Sequence, residues 1–393
     1  MTPSNAAKTV MIEAVEPPVF DRLLPIADPE GLPGQEFLDD VRKILGSKQL
    51  TNGPYVRQFE EAAAAYLHVT HCVAVSSCTA GLLLTLRALD LEGEVVLPSF
   101  TFHATAHAVA WNVLKPVFAD CDTKTFCIDA NAVETQIGPN TAAIVATHIF
   151  GCPAPVQQLR EIADRCEIPV VFDAAHAFGS RTSTGKCIGA FGTAEVFSFT
   201  PTKLVVGGEG GLITTCDSGL AEKLRAARNY GDAGTYDPEI LGLNARMSEL
   251  HAALALRGIE TLDARVAWRN ALRRRYENNL RDVPGICFQQ VPEGALSTVK
   301  DFSIVVDTQE YGHTRDWLAE ELRRNNIDTR KYFYPPVHQQ KLYAHFWDGR
   351  PLPATERVAN SILALPIYSS LSERCVDKIC DVIRSASPSG ASK

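Results

Sequence analysis

The sequence predicts an α/β protein: one large, mostly parallel sheet covered by helices on both faces, followed by a smaller α+β unit. Three observations predict it. Between residues 72 and 215, short and nearly continuous apolar runs alternate with helical stretches. Runs of that kind belong to strands buried on both faces. After Pro284-Gly285 the texture changes to isolated strands and helices joined by polar-aromatic loops. The chain has 393 residues, more than one ordinary core organises, so two units are expected.

The elements follow in order. Residues 1–19 are rich in Thr, Pro and Ala without a period and read as a tail. Phe37, Leu38, Val41, Ile44 and Leu45 fall on one face of a helix over 35–45. The turn Leu50-Thr51-Asn52-Gly53-Pro54 then opens a second helix through Val56, Phe59 and Tyr66. Strands are expected at 72–76, 94–98, 116–120, 142–147, 168–173, 195–199 and 211–215, with helices at 79–89, 105–111 and 156–166. A long helical region covers 248–280. Beyond it lie a strand at 301–306, a helix at 314–324, a polar-aromatic loop over 328–342 and a last helix at 373–383. The boundary between units is placed inside the long helix. This gives a tail (1–19), a large domain (20–262) and a small C-terminal domain (263–393).

Composition excludes several classes. Hydrophobic residues make up 46% and charged residues 21%, the usage of a folded soluble protein rather than a disordered or fibrous one. Lys and Arg total 38 against 46 Asp and Glu, a net charge of −8. The basic triplet Arg273-Arg274-Arg275 is followed by Glu277 in a helical pattern and reads as a solvated face, so no nucleic-acid partner is expected. No stretch approaches the ~20 apolar residues of a spanning helix, and none resembles a signal peptide, so no membrane partner is expected. The eleven cysteines are scattered and show no C-x-x-C spacing. Most read as small buried hydrophobes in a reducing, cytoplasmic setting.

In open α/β sheets, ligands gather at the carboxyl ends of strands, and four candidates fall there. Ser76-Ser77-Cys78-Thr79-Ala80-Gly81 joins a strand to a helix; it either cradles an anion on the helix N-terminus or only caps a buried helix. Asp173 ends a buried strand and is costly there unless a ligand cation or a following helix pairs with it. His176, three residues on, is by itself more a packed interior histidine than a catalyst. Lys203 follows the strand ending Ser198-Phe199. It is either a partly desolvated amine with a lowered pKa or a surface lysine. The glycines of Gly207-Gly208-Glu209-Gly210-Gly211 imply a tight turn or close backbone approach, without dinucleotide spacing. Residues 179–186 imitate a phosphate-binding loop but carry an extra residue between the glycines, and Cys187 stands where Ser or Thr is required. His103 and His107 are four apart with no third ligand nearby, so no metal is expected. Together, an anion cradle, a strand-end Asp and a lysine on one sheet edge describe a pyridoxal phosphate site.

At this point the sequence resembles the DegT/DnrJ/EryC1/StrS family of sugar aminotransferases. The markers stand in order: Thr51-Asn52-Gly53-Pro54 with Phe59-Glu60; Ser77-Cys78-Thr79-Ala80; Pro98-Ser99-Phe100-Thr101-Phe102; and His148-Ile149-Phe150-Gly151. They continue with Asp173-Ala174-Ala175-His176, Ser198-Phe199 with Lys203, Gly208-Glu209-Gly210-Gly211, and Asn244-Ala245-Arg246-Met247-Ser248. The resemblance runs from about Leu23 to about residue 385. It implies the type I aminotransferase fold, pyridoxal 5'-phosphate, and a homodimer with shared active sites.

Residue by residue, it implies that Lys203 holds the cofactor covalently and carries protons. Asp173 would pair with the pyridine nitrogen, and His176 would lie on the phenolic-oxygen side. Cys78, Thr79 and Ser198 would hold the phosphate. Phe102, or else Phe100, would stack on the ring, and Asn244 would reach the phosphate of the neighbouring subunit. The family's Glu-Asp pair is Phe172-Asp173 here, with the Asp retained. Relatives that dehydrate carry His in place of the lysine, which Lys203 argues against. The implied reaction moves an amino group from L-glutamate, leaving 2-oxoglutarate, to a nucleotide-linked keto-sugar in deoxyamino-sugar biosynthesis. C4 of a dTDP-4-keto-6-deoxyhexose is the first expectation. C3 of the 3-keto isomer, or an amino-cyclitol, is the alternative. In the second-domain loop, Arg330, Tyr332, Tyr334 and His338 are expected to face the sugar, unless the loop only packs between domains.

Overall fold

The computed structural model describes residues 17–29 and 34–387. Most of the expected tail, residues 1–16, lies outside the described residues. Helices α1 (Gln35–Ser47) and α2 (Pro54–Leu67) precede the sheet. Pro54 suits the first turn of α2, where its missing N–H has no helical partner to lose. The buried Glu249 carboxylate accepts from the N–H groups of Gly53, Tyr55 and Val56 at 2.8, 2.8 and 3.0 Å, satisfying the open end of that helix.

The next elements are β1 (His71–Val75), α3 (Cys78–Ala88), β2 (Glu94–Pro98), α4 (His103–Trp111), β3 (Lys115–Ala119), α5 (Ala130–Gln136), β4 (Thr141–Thr147), α6 (Val156–Cys166), β5 (Val170–Asp173), β6 (Ala194–Ser198), β7 (Gly211–Thr215) and α7 (Ser218–Ala227). The strands form one sheet in the order β1-β7-β6-β5-β4-β2-β3. Four of its six pairings are parallel; β7 runs antiparallel to both neighbours. Alternation along each strand splits the core in two. Ala74, Val96, Ile144 and Phe172 pack on one face, and Val73, Val95, Val145 and Val171 on the other. The expected double coverage and mostly parallel sheet are both present.

The expected long helix over 248–280 is instead two helices, α8 (Glu249–Glu260) and α9 (Leu262–Leu280). Thr261, at φ −112° and ψ 7°, interrupts them. The chain ends with β8 (Ile286–Phe288), β9 (Phe302–Val306), α10 (Thr308–Tyr311), α11 (Arg315–Arg324), α12 (Pro353–Ser361), β10 (Ile362–Leu365) and α13 (Glu373–Ser385). Its three strands form a second, antiparallel sheet in the order β10-β9-β8. A third core joins Leu280, Ile304, Leu318, Leu363 and Ile379 beneath it. Helices α5, α7, α10 and α12 and strands β8 and β10 form where the sequence pattern predicts no element.

Candidate functional site

The turns after β1, β2, β4, β5 and β6, with segments around residues 300 and 332, enclose a cavity of about 350 Å³. Its first wall is the start of α3. Ser77 adopts an extended backbone, and its side chain accepts from Ala80 N at 3.1 Å. The amides of Cys78 and Thr79 come earlier in that turn, and both residues line the cavity. Gly211 makes the approach possible. A Cβ there would lie 2.5 Å from the carbonyl carbon of Ser77 and 2.6 Å from Cys78 N.

The second wall is the end of β5. Asp173 is buried, with Oδ2 accepting from Thr105 Oγ1 at 2.7 Å and Oδ1 from Ala175 N at 3.1 Å. Burial raises its pKa, opposed chiefly by those two hydrogen bonds. His176 accepts from Phe150 N through Nδ1 at 3.2 Å, and its ring stacks on Phe150. Burial and then the nearby Lys203 and Lys300 charges push its pKa well below the usual range. The ring is therefore neutral, and with Nδ1 an acceptor its proton sits on Nε2.

The third wall carries Ser198, at the end of β6, and Lys203, in the turn closed by Lys203 N donating to Thr200 O at 3.0 Å. Burial lowers the Lys203 pKa to about 8, helped by the charge of Lys300 and opposed by Asp301, Cys78 and Asp173. An amine so poised is a nucleophile and a base near neutral pH.

Phe102 lines the cavity and is half-exposed, whereas Phe100 is fully buried against Phe126, Phe150 and Phe333. Of the two, only Phe102 reaches the cavity. Asn244 is exposed, away from this cavity, and accepts from Arg246 Nε at 3.2 Å.

The loop over 328–342 departs from expectation. Tyr332 lines the cavity, but the other three residues do not. Arg330 pairs with Asp328 on the surface. Tyr334 lies against the Arg315 guanidinium, 5.0 Å from its ring centre. His338 is fully buried; its Nδ1 meets Ser99 Oγ at 2.6 Å because α4's approach and this loop close over the end of β2. His103 and His107 are both half-buried.

Sequence reasoning missed Lys300 and Asp301. Both are buried on the cavity wall, with Lys300 Nζ 2.8 and 3.0 Å from the two Asp301 oxygens. It also missed Thr101, Thr105 and Thr147 beside Asp173. A charged pair opening an apolar strand, Lys300-Asp301 before Phe302–Val306, was the available signal. Among the described residues, no group of three or more His, Cys, Asp or Glu could hold a metal ion, and no helix is long and apolar enough to cross a membrane.

Comparison with known proteins gives a consistent result. Residues 33–384 match the model of the DegT/DnrJ/EryC1/StrS aminotransferase family. The dTDP-4-amino-4,6-dideoxy-D-glucose transaminase of Escherichia coli is 32% identical over 369 residues, covering 92% of this chain and 98% of that protein. The UDP-N-acetyl-3-dehydro-alpha-D-glucosamine 3-aminotransferase of Acidithiobacillus ferrooxidans is 33% identical over 354 residues, covering 89% and 93%. The crystal structure of DesI in the presence of its TDP-sugar product aligns with a TM-score of 0.90 at 35% identity, covering 95% of this chain and 96% of that one.

Proposed function

The chain belongs to the DegT/DnrJ/EryC1/StrS aminotransferase family, and from that membership we propose that it transfers an amino group from L-glutamate to C4 of a dTDP-4-keto-6-deoxyhexose. It is a sugar aminotransferase that uses pyridoxal phosphate. The site fits that cofactor. Cys78 and Thr79 in the first turn of α3 line the cavity where an anion can meet the helix N-terminus, Asp173 offers a buried carboxylate to a ring cation, and Lys203 offers an amine with a pKa of about 8. The bound cofactor supplies a carbonyl carbon to carry the amino group and a ring that accepts electron density.

The chain's own residues do the rest. Cys78 and Thr79 amides, with the Ser198 hydroxyl, hold the phosphate. Phe102 covers the ring and Asp173 keeps its nitrogen protonated. His176 donates from Nε2 to the ring's oxygen. Lys203 Nζ, the observation that carries this reading, would take the proton from the donor's α-carbon and pass it to the cofactor carbon that receives the amino group, and would run the same transfer in reverse toward the sugar carbon. Tyr332 faces the sugar. The exposed position of Asn244 supports a homodimer in which it reaches the partner's phosphate.

C4 is supported by similarity along nearly the full length of the E. coli transaminase. The comparable identity to a 3-aminotransferase supports C3 as the second reading. The test loads the enzyme with the aminated cofactor and adds dTDP-4-keto-6-deoxyglucose or its 3-keto isomer separately. Amino-sugar detected by mass spectrometry with the 4-keto compound alone supports C4. Product from the 3-keto compound alone moves the reading to C3, and product from neither rejects the hexose.

A further inference from the structure

Three threonines from two separate segments meet beside Asp173. Thr105 Oγ1 donates to Asp173 Oδ2 at 2.7 Å. Thr101 Oγ1 lies 2.9 Å from Thr105 Oγ1 and 3.0 Å from Thr147 Oγ1. All three are buried, at 0%, 1% and 4% exposure for Thr105, Thr101 and Thr147. Thr147 closes β4 directly opposite Asp173 in the parallel register, and Thr105 lies in the first turn of α4.

Each hydroxyl has one proton, so the direction of the chain follows from its end. An ionised Asp173 only accepts, and therefore Thr105 must donate to it. Thr105 then has no proton left for Thr101, so Thr101 donates to Thr105 and Thr147 to Thr101. Every dipole points toward the carboxylate, and such aligned hydrogen bonds strengthen one another in a low-dielectric interior. A protonated Asp173 would reverse the chain. We propose that Thr105, Thr101 and Thr147 are positioning residues that hold Asp173 as an anion through a one-way hydroxyl chain, and so set how tightly it grips the cofactor's ring nitrogen. Burial raises the Asp173 pKa, and the Thr105 hydrogen bond is the largest influence opposing that rise. The other groups facing Asp173 are Cys78, whose Sγ is 3.9 Å from Oδ1, together with Lys203 and His148.

The inference rests on the assignment of Asp173 to the ring nitrogen, and its test separates the two. Thr105→Val, Thr101→Val and Thr147→Val remove one hydroxyl each at nearly constant volume; Thr105→Ser restores it. The readouts are the dissociation constant of pyridoxal phosphate, by fluorescence, and the pH titration of the bound cofactor's absorbance. A hydrogen bond to a charged group is worth about 1.5–3 kcal/mol, so Thr105→Val should weaken cofactor binding roughly tenfold or more. Thr101→Val should cost less and Thr147→Val least, with Thr105→Ser near wild type. Simple packing predicts equal losses from three equally buried side chains. Direct cofactor contact predicts the reverse order, because Thr101 and Thr147 line the cavity and Thr105 does not. Either result overturns the chain. If Asp173→Asn itself leaves the affinity and absorbance unchanged, the ring-nitrogen assignment and the chain fall together. If Asp173→Asn changes both readouts but no threonine variant does, only the chain falls.

Discussion

Ser99 Oγ accepts from the backbone N–H of His338 at 3.1 Å and lies 2.6 Å from His338 Nδ1, so one serine hydroxyl meets both the backbone and the ring of that residue. This ties the end of β2 to the loop that brings Tyr332 and Phe333 to the cavity, with no solvent reaching either partner. Ser99→Ala should therefore lower stability by about 1–3 kcal/mol, the cost of an unpaired buried group, as a fall in denaturant midpoint.

The burial of His338 also sets a pH dependence. Burial lowers the His338 pKa, partly offset by Glu356. The unfolded imidazole, at about 6.5, takes up a proton before the folded one does. Its contribution to stability is thus fully present above that value and is lost as pH falls toward the lowered folded pKa. Melting temperature followed from pH 8 to pH 5 should decline less steeply in His338→Gln than in the wild type. Parallel curves would show that other groups control the acid limb.

Lys203→Ala should reduce turnover by at least roughly 10²- to 10⁴-fold, the range for a lost acid–base group, with the fold intact by circular dichroism. Borohydride treatment of the loaded wild type should leave the cofactor on the Lys203 peptide. Attachment at another lysine would move the assignment.

Lys300 and Asp301 should act on Lys203 in opposite senses. The Lys300 charge helps lower the Lys203 pKa, and Asp301 raises it. Lys300→Met should raise the pH at which Lys203 becomes reactive, and Asp301→Asn should lower it. Acylation of cofactor-free protein across pH, read peptide by peptide, measures both; shifts in one direction for the two variants would disprove the electrostatic account.

Gly211→Ala places a methyl 2.5 Å from the Ser77 carbonyl carbon, so the α3 turn must move. Overpacking of this kind costs about 1–3 kcal/mol, and cofactor affinity should fall with it. Gly138→Ala, with nothing within 4 Å, is the control and should bind cofactor normally.

Much of the sheet and half of the site were legible because their signals are local. Asp173 and Lys203 each follow an apolar strand, and Ser77 stands directly before a helix it caps. His338 was misjudged because a histidine in an aromatic loop reads alike whether it faces a ligand or the core. What decides is Ser99, 239 residues away. The same holds for the threonines, whose role exists only where β4, β5 and the entry to α4 converge. Strands of three and four residues, such as β8 and β10, carry too little periodicity to separate from the helices around them.

The cavity wall begins at Ser77 and ends at Phe333 in the sequence. No fragment shorter than 77–333 contains it, and the last side to arrive is held by Phe333 against Phe100 and Phe150. Contacts of such separation close late, after the nearer strand pairs have formed. A polypeptide still emerging from the ribosome can thus own a finished sheet and still lack the wall of Lys300, Asp301, Tyr332 and Phe333 that closes the cavity. A ligand that also needs that late wall favours, by mass action, the chains that have completed it.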